Sequence, residues 1–340
     1  MDILHRNYPI PTHPTWNQLD STKLNTYQAC PRKYFFNYVL GLKPDYESVH
    51  LVFGSAIHEA LEHLLLNKQR MDRANVIQEA FLKFFTEYRA TFTPDDDALN
   101  KLKTPEKALE ILNAYDKYYL LEDSDSDVLY TEVAGTVPVD DENELHFKLD
   151  SIIRDSNGIY CLEHKTTSAD SKPWQQQWIM SLQVGTYHHV LYTMYPANEV
   201  YGVVINGIIP RTKDIGFRRV PVRHSIDQMQ IWNQQVRQLI HEIDFNFGLL
   251  SSESTSSNVL QAFPLRTTSC VDYGTSCPYI SFCSNWKNPL HVADRIPLGF
   301  KVDFWDPQRE HANSRYVMQN GTITLSEQAN GPDNTNTIES

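Results

Sequence analysis

Long apolar runs are missing from this chain of 340 residues. No stretch is long enough to cross a bilayer, and the opening MDILHRNYPIPTHPTW has no apolar core of a secretory signal. The expectation is an intracellular protein that touches no membrane. Positive charge is also short: 30 Lys and Arg stand against 42 Asp and Glu, a net charge of −12. That balance excludes a protein that coats nucleic acid along a broad basic surface, so any such contact must be local. No G-x4-G-K-[ST] phosphate loop occurs, and any strand unwinding must come from a partner. Cysteine is scarce, five residues in all, and in an unsecreted chain so few argue against a disulfide framework.

What is present suits a globular fold with a sizeable core, since 41% of the residues are hydrophobic. The run STKLNTYQACPRKYFFNYVLGL from Ser21 reads as two short helical pieces parted at Cys30-Pro31. Its rings, Tyr34, Phe35, Phe36 and Tyr38, are expected to face a core, with Arg32 and Lys33 solvated beside them. A helix from Phe53 carries Ile57, Leu61, Leu64 and Leu65 at helical spacing, and His58 shares a side with Gly54 and Leu61. Further helices are expected near residues 72–92, 104–122, 174–195 and 225–246. Strands are expected from Val128, over Tyr201 to Ile209, whose near-continuous apolar run marks burial on both faces, and over Ile215 to Val222. The acidic run from Glu122 to Asp127 reads as a solvated loop, and residues from about 313 onward as a poorly ordered tail.

The most informative stretch is ELHFKLDSIIRDSNGIYCLEHKTT, Glu144 to Thr167. Asn157-Gly158 is a strong hairpin signal, and a type I′ turn there would set Ser156 opposite Ile159, Ile152 opposite Glu163 and Asp150 opposite Lys165. Alternation along strands places Asp150, Glu163 and Lys165 on one face, with the two carboxylates as diagonal neighbours. Two carboxylates within reach of one Mg²⁺ or Mn²⁺, with an ammonium alongside, form a layout for phosphodiester hydrolysis. Lys165 would orient the attacking water or offset charge on the phosphate. Many such matches in arbitrary sequence are solvated strand faces, so the flanking residues matter. Glu132 could face the same ion. Gln183 and Tyr187 lie one turn apart on one helix face. Arg211, Lys213, Arg218 and Arg219, with Arg223, make the best local basic patch, opposed in the sequence by Asp214 alone; such charge runs are also common on plain solvated hairpins.

Cys270, Cys277 and Cys283 form a C-x6-C-x5-C set, and three thiols this close in a reducing compartment point to a metal. Cys30 is the cysteine left to complete it, because Cys161 sits in the central ribbon and reads as a small buried hydrophobe. Four thiolates suit zinc or an iron–sulfur cluster, and the wide gaps favour the cluster. Such a site would staple distant parts of the chain.

Taken in order, these motifs resemble the RecB-like branch of the PD-(D/E)XK nuclease superfamily, specifically the iron–sulfur exonucleases related to the CRISPR adaptation nuclease and the AddB nuclease domain. The resemblance spans residues 22–285. Cys30-Pro31-Arg32-Lys33-Tyr34-Phe35 resembles the segment of the first cluster cysteine, and Gly54-x3-His58 the motif whose histidine is a metal ligand. Asp150 matches the motif aspartate, Glu163-His164-Lys165 the (D/E)-x-K strand, and Gln183-x3-Tyr187 a helix motif that positions the substrate strand. The last three cysteines match the remaining ligands of a 4Fe–4S cluster, although better-known members have C-x2-C-x5-C there. Membership implies an α/β, restriction-endonuclease-like core: a mixed central sheet with flanking helices, in one nuclease domain over residues 1–290. A helical insertion is expected at about 59–125 and an extension at 291–340. It implies Mg²⁺- or Mn²⁺-dependent cleavage of DNA, from ends or in single strands, in replication, recombination or repair, beside a helicase or recombination partner. His164 would then offer its backbone carbonyl to the ion while its ring packs behind the sheet. The alternative within the same fold is a non-catalytic subunit that binds DNA ends.

Overall fold

A computed structural model describes residues 3–168, 170–272, 275–319 and 321–326. Its centre is a seven-stranded sheet made of β1 (Asp127–Pro138), β2 (Glu144–Asp155), β3 (Gly158–Thr166), β4 (Val200–Pro210), β5 (Ile215–Val222), β6 (Tyr316–Gln319) and β7 (Thr322–Leu325). The order across the sheet is β7-β6-β1-β2-β3-β4-β5. Strand β3 runs antiparallel to β2 and parallel to β4, while β5 returns antiparallel. This is the mixed sheet with flanking helices expected of a restriction-endonuclease-like fold. The chain length between β3 and β4 follows from their parallel pairing, which needs a crossover. That crossover holds a short helix, Lys172–Gln176, and α5 (Leu182–Met194). One continuous helix was expected here. Instead Ser181 ends the connecting turn and caps α5, its side chain accepting a hydrogen bond from Val184 N.

The hairpin between β2 and β3 departs from the expected register by two residues. Asp155 pairs with Gly158, Arg154 with Ile159 and Ile152 with Cys161. The turn is therefore centred on Ser156-Asn157, and Asn157 does not take the positive φ a type I′ turn requires. Asn157 N donates to the Asp155 carboxylate instead, at 2.6 Å. Gly158 is needed for another reason. Its φ is +128°, and a Cβ there would lie 2.6 Å from the carbonyl oxygen of Glu199. A slip of two keeps every side chain on its expected face.

Contacts divide the chain into two compact units, each assembled from three stretches. One contains Met1–Tyr46, Gly135–Phe147 and Ile226–Asn313; the other Glu47–Ala134, Lys148–Ser225 and Ser314–Ser340. In the second, α2 (Val49–Leu66), α3 (Arg73–Arg89) and α4 (Pro105–Ser124) bury Phe53, Ile57, Leu61, Phe84, Tyr88 and Ile111 in a common core. Thr104 caps α4 and Pro105 starts it. Strands β6 and β7 correct the expectation of a tail without structure from 313: a hairpin occupies 316–325, with Met318 fully buried. The remainder of that tail, 327–340, lies outside the described residues.

In the first unit, α1 (Ser21–Ala29) packs against the 26-residue helix Ile226–Ser251. The aromatic run is core, as expected: Phe35 and Phe36 are fully buried and Tyr34 stacks on Phe263. Arg32 is not solvated. Its guanidinium donates to the carbonyls of Phe263 and Leu260, at 2.9 and 3.1 Å, and fixes that loop. Lys23 is buried too, donating to the carbonyls of Thr15 and Gln18 beneath the rings of Tyr38 and Trp305.

Candidate active site

Strand alternation brings Lys148 and Asp150 on β2, and Glu163 and Lys165 on β3, to one cleft, with His58 from α2 and Gln183 and Tyr187 from α5. The cleft has a volume of about 1080 Å³. His58 Nδ1 stands 3.4 Å from Asp150 Oδ2, which also accepts the His164 backbone N–H at 2.8 Å. Lys165 Nζ donates to Glu163 Oε1 at 2.6 Å. The four residues expected to converge do so.

The electrostatics of these groups are strongly biased. Burial alone would raise the Asp150 pKa, but His58 and the His164 N–H hold it well below the usual carboxylate range. Glu163 goes the other way: burial and the neighbouring Asp150 charge raise its pKa, against the pull of Lys165. For His58 and Lys165 burial favours the neutral form, yet Asp150 and Glu163 respectively win, and both bases are held protonated above their ordinary values. Two carboxylates pushed in opposite directions at one place are a common mark of a functional site.

A second set of contacts fixes these groups. Gln183 donates from Nε2 to Glu163 Oε1 at 3.2 Å and to the Tyr187 hydroxyl at 2.7 Å, and that hydroxyl donates to the Lys148 carbonyl at 2.8 Å. The two α5 residues thus brace Glu163 and tie α5 to β2. The His164 ring faces the other side of the sheet, where the buried Asn206 amide donates to its Nδ1 at 2.8 Å and to Tyr115 at 2.7 Å. Burial pushes that imidazole down to about 3, so it is neutral, and only the His164 backbone is left for the cleft.

Two features were harder to read. Lys148 shares parity with Asp150, which is the signal that could have found it; its ammonium pairs with Glu132 at 2.8 Å. Glu132 does line the cleft, with its backbone at φ +48°, a conformation unusual for a residue other than glycine. Burial raises its carboxyl to about 7, against Lys148. No local pattern announces that backbone.

The basic hairpin is corrected in its charge. Arg219 pairs with Asp123 at 2.7 Å and Glu122 at 2.9 Å, Arg218 with Asp170 at 3.0 Å, and Arg211 with Asp214 at 3.3 Å. Arg223 lies over the Tyr201 ring, and Lys213 is exposed. The acids of 122–123 are therefore counter-ions at the end of α4 rather than a solvated loop, and none of these arginines lines the cleft.

Cys30, Cys270, Cys277 and Cys283 all carry free thiols and line one small pocket with Lys33, Arg266 and Tyr279. Cys277 N donates to the Cys270 carbonyl at 2.8 Å. Burial pushes the Cys283 thiol up to about 11. Cys161 is wholly buried in β3, as expected of a small hydrophobe.

Among the described residues, no group of three or more His, Cys, Asp or Glu stands ready at the spacing of a metal ion. In the cleft the physical reason is visible: Asp150 is engaged by His58 and Glu163 by Lys165. The donor set nevertheless fits a hard cation. Glu163 Oε2 is buried with no hydrogen-bond partner, and an unpaired buried carboxylate oxygen is what such a cation takes up.

Residues 19–284 match the PD-(D/E)XK nuclease superfamily. Among solved structures, the crystal structure of SSO0001 is similar at 16% identity and a TM-score of 0.26, over 56% of this chain and 84% of its own. No curated protein matches the sequence. No helix among the described residues is long and apolar enough to cross a membrane.

Proposed function

This chain belongs to the PD-(D/E)XK nuclease superfamily, and from that membership and the geometry of the cleft we propose that it is a Mg²⁺- or Mn²⁺-dependent deoxyribonuclease acting on DNA ends or single strands. The observation that carries the reading is the orphaned Glu163 Oε2 beside Asp150, in a cleft that also holds Lys165 and His58. Asp150, Glu163, His58 and the His164 carbonyl would hold the cation. When bound, it supplies Lewis acidity to the scissile phosphate and acidifies an attacking water. Lys165, a protonated donor at the same point, orients the nucleophile and offsets charge that develops on the phosphate. Gln183 and Tyr187 act through Glu163, keeping its carboxylate aimed into the cleft.

We assign the four cysteines to a 4Fe–4S cluster, with zinc as the alternative. A cluster spreads its ligands over several irons, which suits thiols that line one pocket without crowding a single point. Its role would be structural, tying Cys30 to the segment from Cys270 to Cys283. Anaerobically purified protein is then brown, whereas a zinc protein is colourless. Action in recombination or repair beside a helicase is part of the same proposal.

The test is digestion of end-labelled single- and double-stranded DNA with Mg²⁺ or Mn²⁺, comparing wild type with Lys165→Ala and with chelator. Loss of at least about 100-fold in rate, the scale of one electrostatic donor, is expected for the variant. Equal digestion by both proteins would remove the assignment.

A further inference from the structure

The floor of the cleft is rich in charge but poor in available cations. Glu132, Asp150, Glu163 and Glu59 line it, and of its four lysines Lys148 is tied to Glu132 and Lys165 to Glu163. Asp150 is likewise paired with His58 and Glu59 with Lys83, so a polyanion entering such a space finds these cations already engaged and needs others to receive it. The two remaining lysines, Lys101 and Lys103, are on one turn between α3 and α4, and neither has an acidic partner among the described residues. The arginines of the β4–β5 hairpin cannot serve, because their charges are spent elsewhere.

Lys103 is unusual. Its ammonium lies 4.9 Å from the centre of the Phe53 ring, and Phe53 is fully buried against Phe84 and Tyr88. Burial, unopposed by any carboxylate, pulls its pKa down to about 8. A ring returns only about 0.5–2 kcal/mol to a lysine held in this way. The turn itself is firmly built. The Tyr88 hydroxyl donates to the Lys103 carbonyl at 2.6 Å, Lys103 N to the Asn100 carbonyl at 2.7 Å, and the Asn100 amide to the Asp96 carbonyl at 2.9 Å. Two exposed leucines, Leu99 and Leu51, line the same cleft. A fixed cation without a counter-ion, a second one two residues away and exposed apolar side chains lining the same cleft suit the alternating phosphates and bases of one nucleic-acid strand.

We infer that the turn at Asn100–Lys103 is the strand-binding wall of the cleft: Lys101 and Lys103 grip backbone phosphates of single-stranded DNA, and Leu51 and Leu99 cover its bases. This rests on the nuclease reading and names the substrate of the same site. A single strand is favoured because about 1080 Å³ is only a little above the ~300–1,000 Å³ that encloses one drug-sized ligand.

The test is fluorescence anisotropy of a labelled oligo(dT) with chelator present, over a range of salt, for wild type, Lys101→Gln/Lys103→Gln and Lys101→Arg/Lys103→Arg. Losing two phosphate contacts lowers the slope of log affinity against log salt by about 1.4 and weakens binding roughly 25-fold at 0.1 M salt. The arginine pair restores both. In digestion, the glutamine pair raises KM with little change in kcat, the reverse of Lys165→Ala. Wild-type slope and affinity in the glutamine pair would overturn the inference, as would a loss that arginine does not rescue. Should the wild type cut nothing, the nuclease reading falls while the anisotropy still reports on the wall.

Discussion

Arg219 offers the sharpest separation between a residue that binds substrate and one that holds the fold. Its guanidinium donates to both carboxylate oxygens of Asp123, at 2.7 and 3.0 Å, and to Glu122 at 2.9 Å, and lies 3.9 Å from the centre of the Tyr119 ring. Arg219 is 14% exposed and Asp123 11%, so removing one partner strands a charge away from water. Breaking such a pair costs about 3–5 kcal/mol, and the ring contact adds up to about 1. Arg219→Met should therefore cost about 4 kcal/mol, which at a urea slope of about 3 kcal/mol/M moves the unfolding midpoint down by about 1.3 M. The pair Arg219→Met/Asp123→Leu should recover most of the loss, since the one charge left without its partner, Glu122, is exposed to water. Folded Arg219→Met should still bind oligo(dT) as the wild type does. A loss below about 1 kcal/mol, or a double variant no better than the single, would refute the argument.

Two further outcomes follow from buried polar groups. Tyr187→Phe leaves the Lys148 carbonyl and the Gln183 amide without the partners they have at 2.8 and 2.7 Å; it should cost about 1–2 kcal/mol in thermal unfolding and lower kcat with little effect on KM, and an unchanged kcat would show that Glu163 needs no brace. Burial pushes Lys23 down to about 7, with Asp20 pulling it back up, from an ordinary 10.5. Between those values the unfolded chain holds more protons than the folded one, so this lysine makes stability rise with pH from about 7 to 10.5, and below 7 the folded state bears the full cost of the buried ammonium. Unfolding free energies measured across that window should rise more steeply in wild type than in Lys23→Met; parallel curves would contradict it.

The parts legible in the sequence are those set by local periodicity. Alternation of two placed Asp150, Glu163 and Lys165 together, and the apolar run of 201–209 announced a strand buried on both faces. The register was not legible, because Gly158 answers to the Glu199 carbonyl some forty residues away rather than to its own turn. The same holds for the arginines. Asp214 is a neighbour in sequence, but Asp123 and Asp170 reach Arg219 and Arg218 only through the fold. The break before Ser181 and the hairpin at 316–325 rest on short signals that longer apolar periodicity and polar composition mask: a serine cap in one case, and in the other an Asn320-Gly321 pair between short alternating runs.

That last hairpin has a consequence for how the protein keeps to itself. Strands β6 and β7 lie beyond β1, and without them β1, twelve residues long, would show its unsatisfied amides and carbonyls to any passing extended segment. A chain trimmed before Tyr316 would retain all the acids and thiols discussed above and yet be prone to stack with its own copies, edge against edge. The hairpin strands 316–319 and 322–325 thus act as a sheath over the sheet edge while taking no part in the chemistry.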